Sequence, residues 1–176
     1  MSGQYQFYLW DNKETLLTEL HLYWFWELMP HEHVFYDGTV RTSQDFLAWA
    51  RAGHSRIWAI YHGEQPLGLV WLNNFSGRAA YIHLTSFKGA HRHHTIPAAK
   101  EFMHRVFNSP EPLDKSRAFL HTLIGITPAS YGLVRKYAKA CGFVEKCTIP
   151  EALHLVHENR FDDAVVTCAT RANFGG

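Results

Sequence analysis

The sequence predicts one α/β domain of the α+β kind over residues 1–176, with a mixed sheet of about seven strands covered by helices on both faces. Two stretches carry that prediction. Residues 56–87 form three short apolar runs parted by Gly-Glu-Gln-Pro and Asn-Asn-Phe-Ser-Gly-Arg, the pattern of a strand meander. Residues 118–143 (AFLHTLIGITPASYGLVRKYAKACGF) pass from an apolar run of strand length into helical spacing and stop at Gly-Phe. A meander followed by strand–helix–strand units implies mixed pairing and excludes a doubly wound nucleotide fold.

Residues 4–10 alternate aromatic and other side chains and read as a strand. Residues 14–28 place Leu16, Leu17, Leu20, Tyr23, Trp24 and Leu28 at helical spacing, and residues 29–42 read as an ordered loop. A second helix spans 43–52, with Phe46, Leu47, Trp49 and Ala50 inward and Gly53 as its stop. Strands follow at 56–62, 67–72 and 79–87, with residues 73–78 as the second turn. A helix at 95–107 buries Ala99, Phe102, Met103, Val106 and Phe107, and residues 108–115 break it. Residues 118–124 form the next strand. Thr127 then supplies a capping hydroxyl and Pro128 fits the first turn of a helix. That helix turns Leu133, Val134, Tyr137, Ala138 and Cys141 to one side. Gly142 supplies its left-handed end, and Phe143 folds back onto the last turn. Residues 144–149 and 164–170 complete the sheet.

Composition removes several classes of function. Hydrophobic residues make up 47% of the chain and aromatics 15%, which excludes a disordered chain. Seventeen basic and 16 acidic residues leave a net charge of +1, so nothing general draws the protein to nucleic acid or to an anionic membrane. Thirteen histidines make it strongly cationic in mild acid. Cys141, Cys147 and Cys168 are odd in number and form no CxxC pair, so neither a disulfide framework nor a zinc knuckle is expected. Neither a secretory leader nor an apolar run near the ~20 residues of a membrane span is visible. A cytoplasmic protein is expected.

The element order, together with the ending YAKACGF, resembles the GCN5-related N-acetyltransferase (GNAT) superfamily, and more narrowly its uncharacterised bacterial and phage-encoded members. The resemblance implies an acyl-CoA-dependent N-acyltransferase with acetyl-CoA as co-substrate and no metal. Acetyl would pass to a primary amine by direct attack in a ternary complex. It also implies that the strands at 79–87 and 118–124 splay apart and receive the cofactor between them, along Leu84, Thr85, Ser86 and Phe87. Backbone N–H groups there would hold the pantetheine amides and polarise the thioester. The family's glycine-rich phosphate loop falls at Lys88-Gly89-Ala90-His91-Arg92-His93-His94-Thr95, where only Gly89 remains. Lys88, Arg92, His93, His94 and the start of a helix at Thr95 are then the expected diphosphate ligands, with side-chain charge in place of bare backbone. A zinc site at His91, His93 and His94 lacks an adjoining carboxylate or thiolate.

For acid–base work, the family's frequent Tyr acid falls at Ala138, which leaves Tyr137 and Tyr131 as substitutes. His83 and His121, each placed mid-strand beside the gap, are the candidate bases, and an imidazole near pKa 6.5 suits that work. Tyr81, His83 and Thr85 share one face of their strand. Trp24, Trp26 and Glu27 lie in the family's acceptor region and are the expected substrate contacts. His31-Glu32-His33 and Asp162-Asp163 read as turns. Partners expected are a small-molecule or peptide amine and a second copy of the chain, with neither nucleic acid nor membrane. The alternative is a catalytically degenerate GNAT-fold module with an interaction or structural role.

Overall fold

The computed structural model describes residues 5–10, 17–108 and 120–174. The predicted ends at Gln4, at residues 14–16 of the first helix, at 109–115 and at 118–119 lie outside the described residues. Seven strands form one sheet in the order β1-β2-β3-β4-β5-β7-β6. They are β1 (Gln6–Trp10), β2 (Arg56–His62), β3 (Gln65–Ser76), β4 (Ala79–Ser86), β5 (Thr122–Pro128), β6 (Val144–Leu155) and β7 (Arg160–Thr170). All neighbours are antiparallel except β4 and β5, which run parallel.

Among the described residues six helices accompany them: α1 (Glu19–Leu28), α2 (His31–Val34), α3 (Ser43–Arg51), α4 (Arg92–Asn108), α5 (Gly132–Cys141) and α6 (Arg171–Phe174). Apolar side chains at helical spacing divide them between the two faces. Leu22, Phe25 and Trp26 of α1 and Phe46, Leu47 and Ala50 of α3 pack on Ile57, Ala59, Leu69 and Trp71. On the opposite face Ala98, Phe102, Met103 and Phe107 of α4, with Cys141 and Phe143, pack on Trp58, Val70, Leu72 and Ile82. Both faces are covered, as the sequence predicts.

Several boundaries move. The second hairpin is tighter than predicted, because β3 keeps pairing with β4 as far as Ser76. Residues 29–42 hold the short α2, and α4 begins three residues early at Arg92. The largest shift concerns β5. Thr127 and Pro128 do not start a helix: they pair with Val165 and Ala164 of β7, and α5 starts only at Gly132. The local capping signal is overridden because β7 is long enough to hold β5 that far, and Thr127 is buried there. Asp162 then fixes the turn into α5, its carboxylate accepting from the Ser130 N–H at 3.0 Å and hydroxyl at 2.6 Å. The predicted stop at Gly142 holds, with φ of 103° and the Phe143 N–H donating to the Ala138 carbonyl at 3.1 Å.

Gly68 sets how closely β3 meets β4. A Cβ there would lie 2.0 Å from the Thr85 carbonyl oxygen. Backbone has no rotamer with which to retreat, so Gly68→Ala must push β4 away. The substitution is expected to cost about 3 kcal/mol, the upper range for overpacking, and urea unfolding would measure it.

Candidate active site

The parallel β4–β5 ladder has three residue pairs: Ala79 with Thr122, Ala80 with Leu123, and Tyr81 with Ile124. Beyond them the strands part, since β5 is held by β7 over its whole length while β4 follows β3. A cavity of about 310 Å³ fills the gap. Residues 82–86 line one wall and residues 125–128 the other, with Leu133, Val134, Tyr137 and Ala138 of α5 alongside. This is the size of a small-ligand site. The apolar stripe of α5 thus serves two surfaces: Cys141 is core, Tyr137 and Ala138 pack on the core and border the cavity, and Leu133, which lines the cavity, is 78% exposed.

Strand alternation decides what β4 offers. The Phe87 N–H donates to the Leu67 carbonyl at 2.9 Å, and the Thr85 carbonyl is turned against Gly68. Backbone groups of Leu84 and Ser86 therefore point to the opposite side, into the gap. Side chains alternate across the sheet: Leu84 packs toward α4, whereas His83 stacks on Trp71 beneath α1 and α3.

The acid–base candidates separate clearly. His83 lines the cavity, stacked on Trp71 with ring centroids 5.0 Å apart and planes within 5°. Burial pushes its pKa down to about 4, only partly opposed by Asp37, so the value of 6.5 expected from sequence does not hold. His121 is not mid-strand. It precedes β5 at the closed end of the seam, exposed, with Nε2 3.0 Å from the Arg78 guanidinium and outside the cavity lining. Tyr137 and Tyr131 both line the cavity. The Tyr137 hydroxyl donates to the Thr95 carbonyl at 3.2 Å and adjoins Ser86 and Cys141, and burial raises its pKa. The Tyr131 hydroxyl lies 3.4 Å from Glu158, and burial raises its pKa as well. Tyr36, which the sequence reading passed over, also lines the cavity, its pKa pushed up by burial to about 12. Its ring meets that of Tyr131 at right angles, 6.4 Å away. An aromatic residue just before the Asp-Gly of the loop was the available signal.

The expected cofactor contacts divide too. Leu84, Thr85 and Ser86 line the cavity, but Phe87 is a core residue stacked on Phe25 at 5.2 Å. Lys88 turns the other way, its ammonium 3.4 Å from the Glu27 carbonyl at the end of α1. Gly89 takes a φ of 85° that other residues rarely adopt. Arg92 and His93 are exposed in the first turn of α4, and Thr95 is buried there. His94 stacks on His62 at 4.1 Å and lies 4.2 Å from the ring of His93. Burial and these neighbouring rings lower its pKa. Among the described residues no group of His, Cys, Asp and Glu is arranged to hold a metal.

The expected acceptor contacts do not reach the cavity. Trp26 is core, stacked on His31 at 4.4 Å, while Trp24 and Glu27 face outward. A ten-residue helix packed by Leu22, Phe25 and Trp26 leaves its other sides in solvent, and the chain after it closes the site instead. Pro30, His33, Val34 and Tyr36 are the residues that border the cavity. Asp162 and Asp163 lie within β7 and not in the turn read from sequence, and their carboxylates accept from the backbone N–H groups of Ser130 and Glu151.

The overall fold has counterparts among solved structures. A spermidine N-acetyltransferase from Vibrio cholerae, in complex with CoA and spermine, matches with TM-score 0.66 and 12% identity over 98% of this chain and 99% of that one. A probable acetyltransferase of the GNAT family from Chromobacterium violaceum matches with TM-score 0.69 and 13% identity over 100% and 92%. The fold is that of the GNAT acetyltransferases. A dodecameric spermidine N-acetyltransferase from Vibrio cholerae matches with TM-score 0.64 and 12% identity over 98% of this chain and 97% of that one. No protein-family model matches the sequence, and no curated protein does.

The lowered pKa of His83 has a consequence for stability. Between about pH 6.5 and 4 the unfolded chain carries a proton on this imidazole that the folded protein does not, so acid favours unfolding. Between pH 7 and 4.5 the wild type is expected to lose about 2 kcal/mol more stability than His83→Gln, by urea unfolding at both pH values.

Proposed function

We propose that the protein transfers an acyl group, most simply acetyl, from acetyl-CoA to a primary amine by direct attack in a ternary complex. The observation that carries this reading is the gap between β4 and β5, which crosses the sheet and joins its two faces in one cavity. On the α4–α5 side it offers an apolar channel and the free backbone groups of Leu84 and Ser86, suited to the amides of a pantetheine arm and to a thioester carbonyl. The start of α4, with Arg92, His93 and the turn at Gly89, is placed to receive a diphosphate. Lys88 and His94 contribute less, since one is turned toward α1 and the other stacked on His62. The amine enters from the opposite face, past Tyr36 and His83.

In the reaction the amine nitrogen bonds to the carbonyl carbon, the carbon–sulfur bond breaks, and the nitrogen loses a proton while the thiolate gains one. Magnitudes limit what His83 contributes. An alkylammonium of pKa about 10 is some six pKa units less acidic than imidazolium in this site, a gap of roughly 8 kcal/mol. His83 therefore does not deprotonate a free ammonium. It accepts a hydrogen bond from the neutral amine, and takes the proton once the new bond has made the nitrogen acidic. Tyr137 and Tyr131 are the phenols able to protonate the departing sulfur. The poverty of glycine in the phosphate loop favours a second reading, a module that keeps the fold without the chemistry.

Acetyl-CoA is expected to raise the melting temperature by mass action, and no shift at millimolar ligand would favour the module. His83→Gln is expected to bind CoA as the wild type does while turnover falls about 10²-fold. The pH profile of kcat/KM is expected to rise toward the pKa of the amine without a His83 step near 6.5. Such a step, lost in His83→Gln, would restore an ordinary imidazole base.

A further inference from the structure

The amine side of the cavity has a chemistry of its own. Phe35, Trp71 and His83 stack in succession, with centroid separations of 5.9 and 5.0 Å and interplanar angles of 14° and 5°. The stack runs from the buried Phe35 outward to His83, and its last two rings border the cavity. Tyr36 and Tyr131 add two further aromatic walls, and Pro30 and Val34 close the side with apolar surface. Among the described residues no Asp, Glu, Lys or Arg lines the cavity. Two carboxylates near it have other partners: Asp37, whose charge reaches His83, accepts from the Thr39 N–H and hydroxyl at 3.1 and 2.8 Å, and Glu158, 3.4 Å from the Tyr131 hydroxyl, accepts from Arg160 at 2.7 Å.

From these walls we infer that the acceptor is an amine with one basic nitrogen on an aromatic or branched apolar body, and not a polyamine. The inference rests on the acetyltransferase reading above. A polyamine at neutral pH would bring further ammonium groups against aromatic and aliphatic surface, with no carboxylate among the described lining residues to pair them directly. Burying an unpaired ammonium costs several kcal/mol, more than cation–π contact with exposed rings returns. An apolar body gains from these walls, because a flat ring stacks against the outer face of His83 and a branched one packs on Val34 and Pro30. Neutral His83, the ring that ends the stack, is left to meet the single nitrogen, with His33 and the Tyr36 and Tyr131 hydroxyls also in the lining. The structural neighbour that holds spermine in its complex shares the fold at 12% identity, and the inference separates this chain from it.

Calorimetric titration with 2-phenylethylamine and with spermidine, into the protein alone and into the protein saturated with CoA, tests it at 0.15 M salt. The expected result is a dissociation constant for 2-phenylethylamine at least ~10-fold below that for spermidine. Val34→Asp, which sets a carboxylate in the lining, is expected to narrow or reverse that ratio while CoA binding stays unchanged. Tighter or equal binding of spermidine overturns the inference, and so does failure of 2-phenylethylamine to bind. A protein that does not bind CoA sinks the acetyltransferase reading, and the titration without CoA still decides between the amines.

Discussion

The site depends on a competition for β5. One edge of that strand is bound to β7 through seven residue pairs, from Thr122–Thr170 to Pro128–Ala164, while the other edge holds β4 through three. β4 has its own attachment, drawn against β3 by the contact of Gly68 with Thr85. Neither strand can follow the other past Ile124 without giving up a longer ladder, so the sheet opens there. The opening leaves the backbone of Leu84 and Ser86 unpaired in an otherwise continuous sheet. An unpaired buried strand edge is costly unless something completes it, and an extended amide-bearing ligand does so.

The same opening explains the contrast between the two ends of the site. On the α4–α5 face the exposed stripe of Leu133 and Val134 would be a fault in a helix packed on a closed sheet. Beside the gap it is a wall. On the α1–α3 face the ring stack ending at His83 keeps that imidazole neutral by surrounding it with apolar surface. His83 is thus better suited to receive a proton late in a reaction than to strip one from a cation, which is the difference between burial and mere proximity.

Much of the architecture is legible in the sequence because it is written in local patterns. Apolar runs of strand length in β2 and β4, helical spacing in α3 to α5 and the glycine stop at Gly142 each concern neighbours in sequence. What misled was also local. Thr127-Pro128 has every mark of a helix start, yet pairing with Val165 and Ala164, distant in sequence, decides its conformation. His121 was displaced by the same shift of β5. Trp24, Trp26 and Glu27 stand out in composition, but only the packing of α1 reveals that Trp26 faces the core and the other two face water. Tyr36 lacked any periodic context, since it lies between two short helices; its place before Asp-Gly marks a loop aromatic, and its folded neighbours make it a wall of the cavity. Fold is legible where periodicity speaks, and the site is not, because it assembles from residues that no period connects.

The sheet can also be seen as two antiparallel units, β1 to β4 and β5 to β7, sewn together by the seam at residues 79–81 and 122–124. Each unit has long ladders within itself, and the seam is the shortest ladder in the molecule's centre. Slow amide exchange would then persist in β2, β3 and β7, while the seam opens first as a sub-global event. A ligand lying along the gap would bridge the two units and suppress that opening, so that occupancy of the cleft is felt as mechanical closure of the whole sheet.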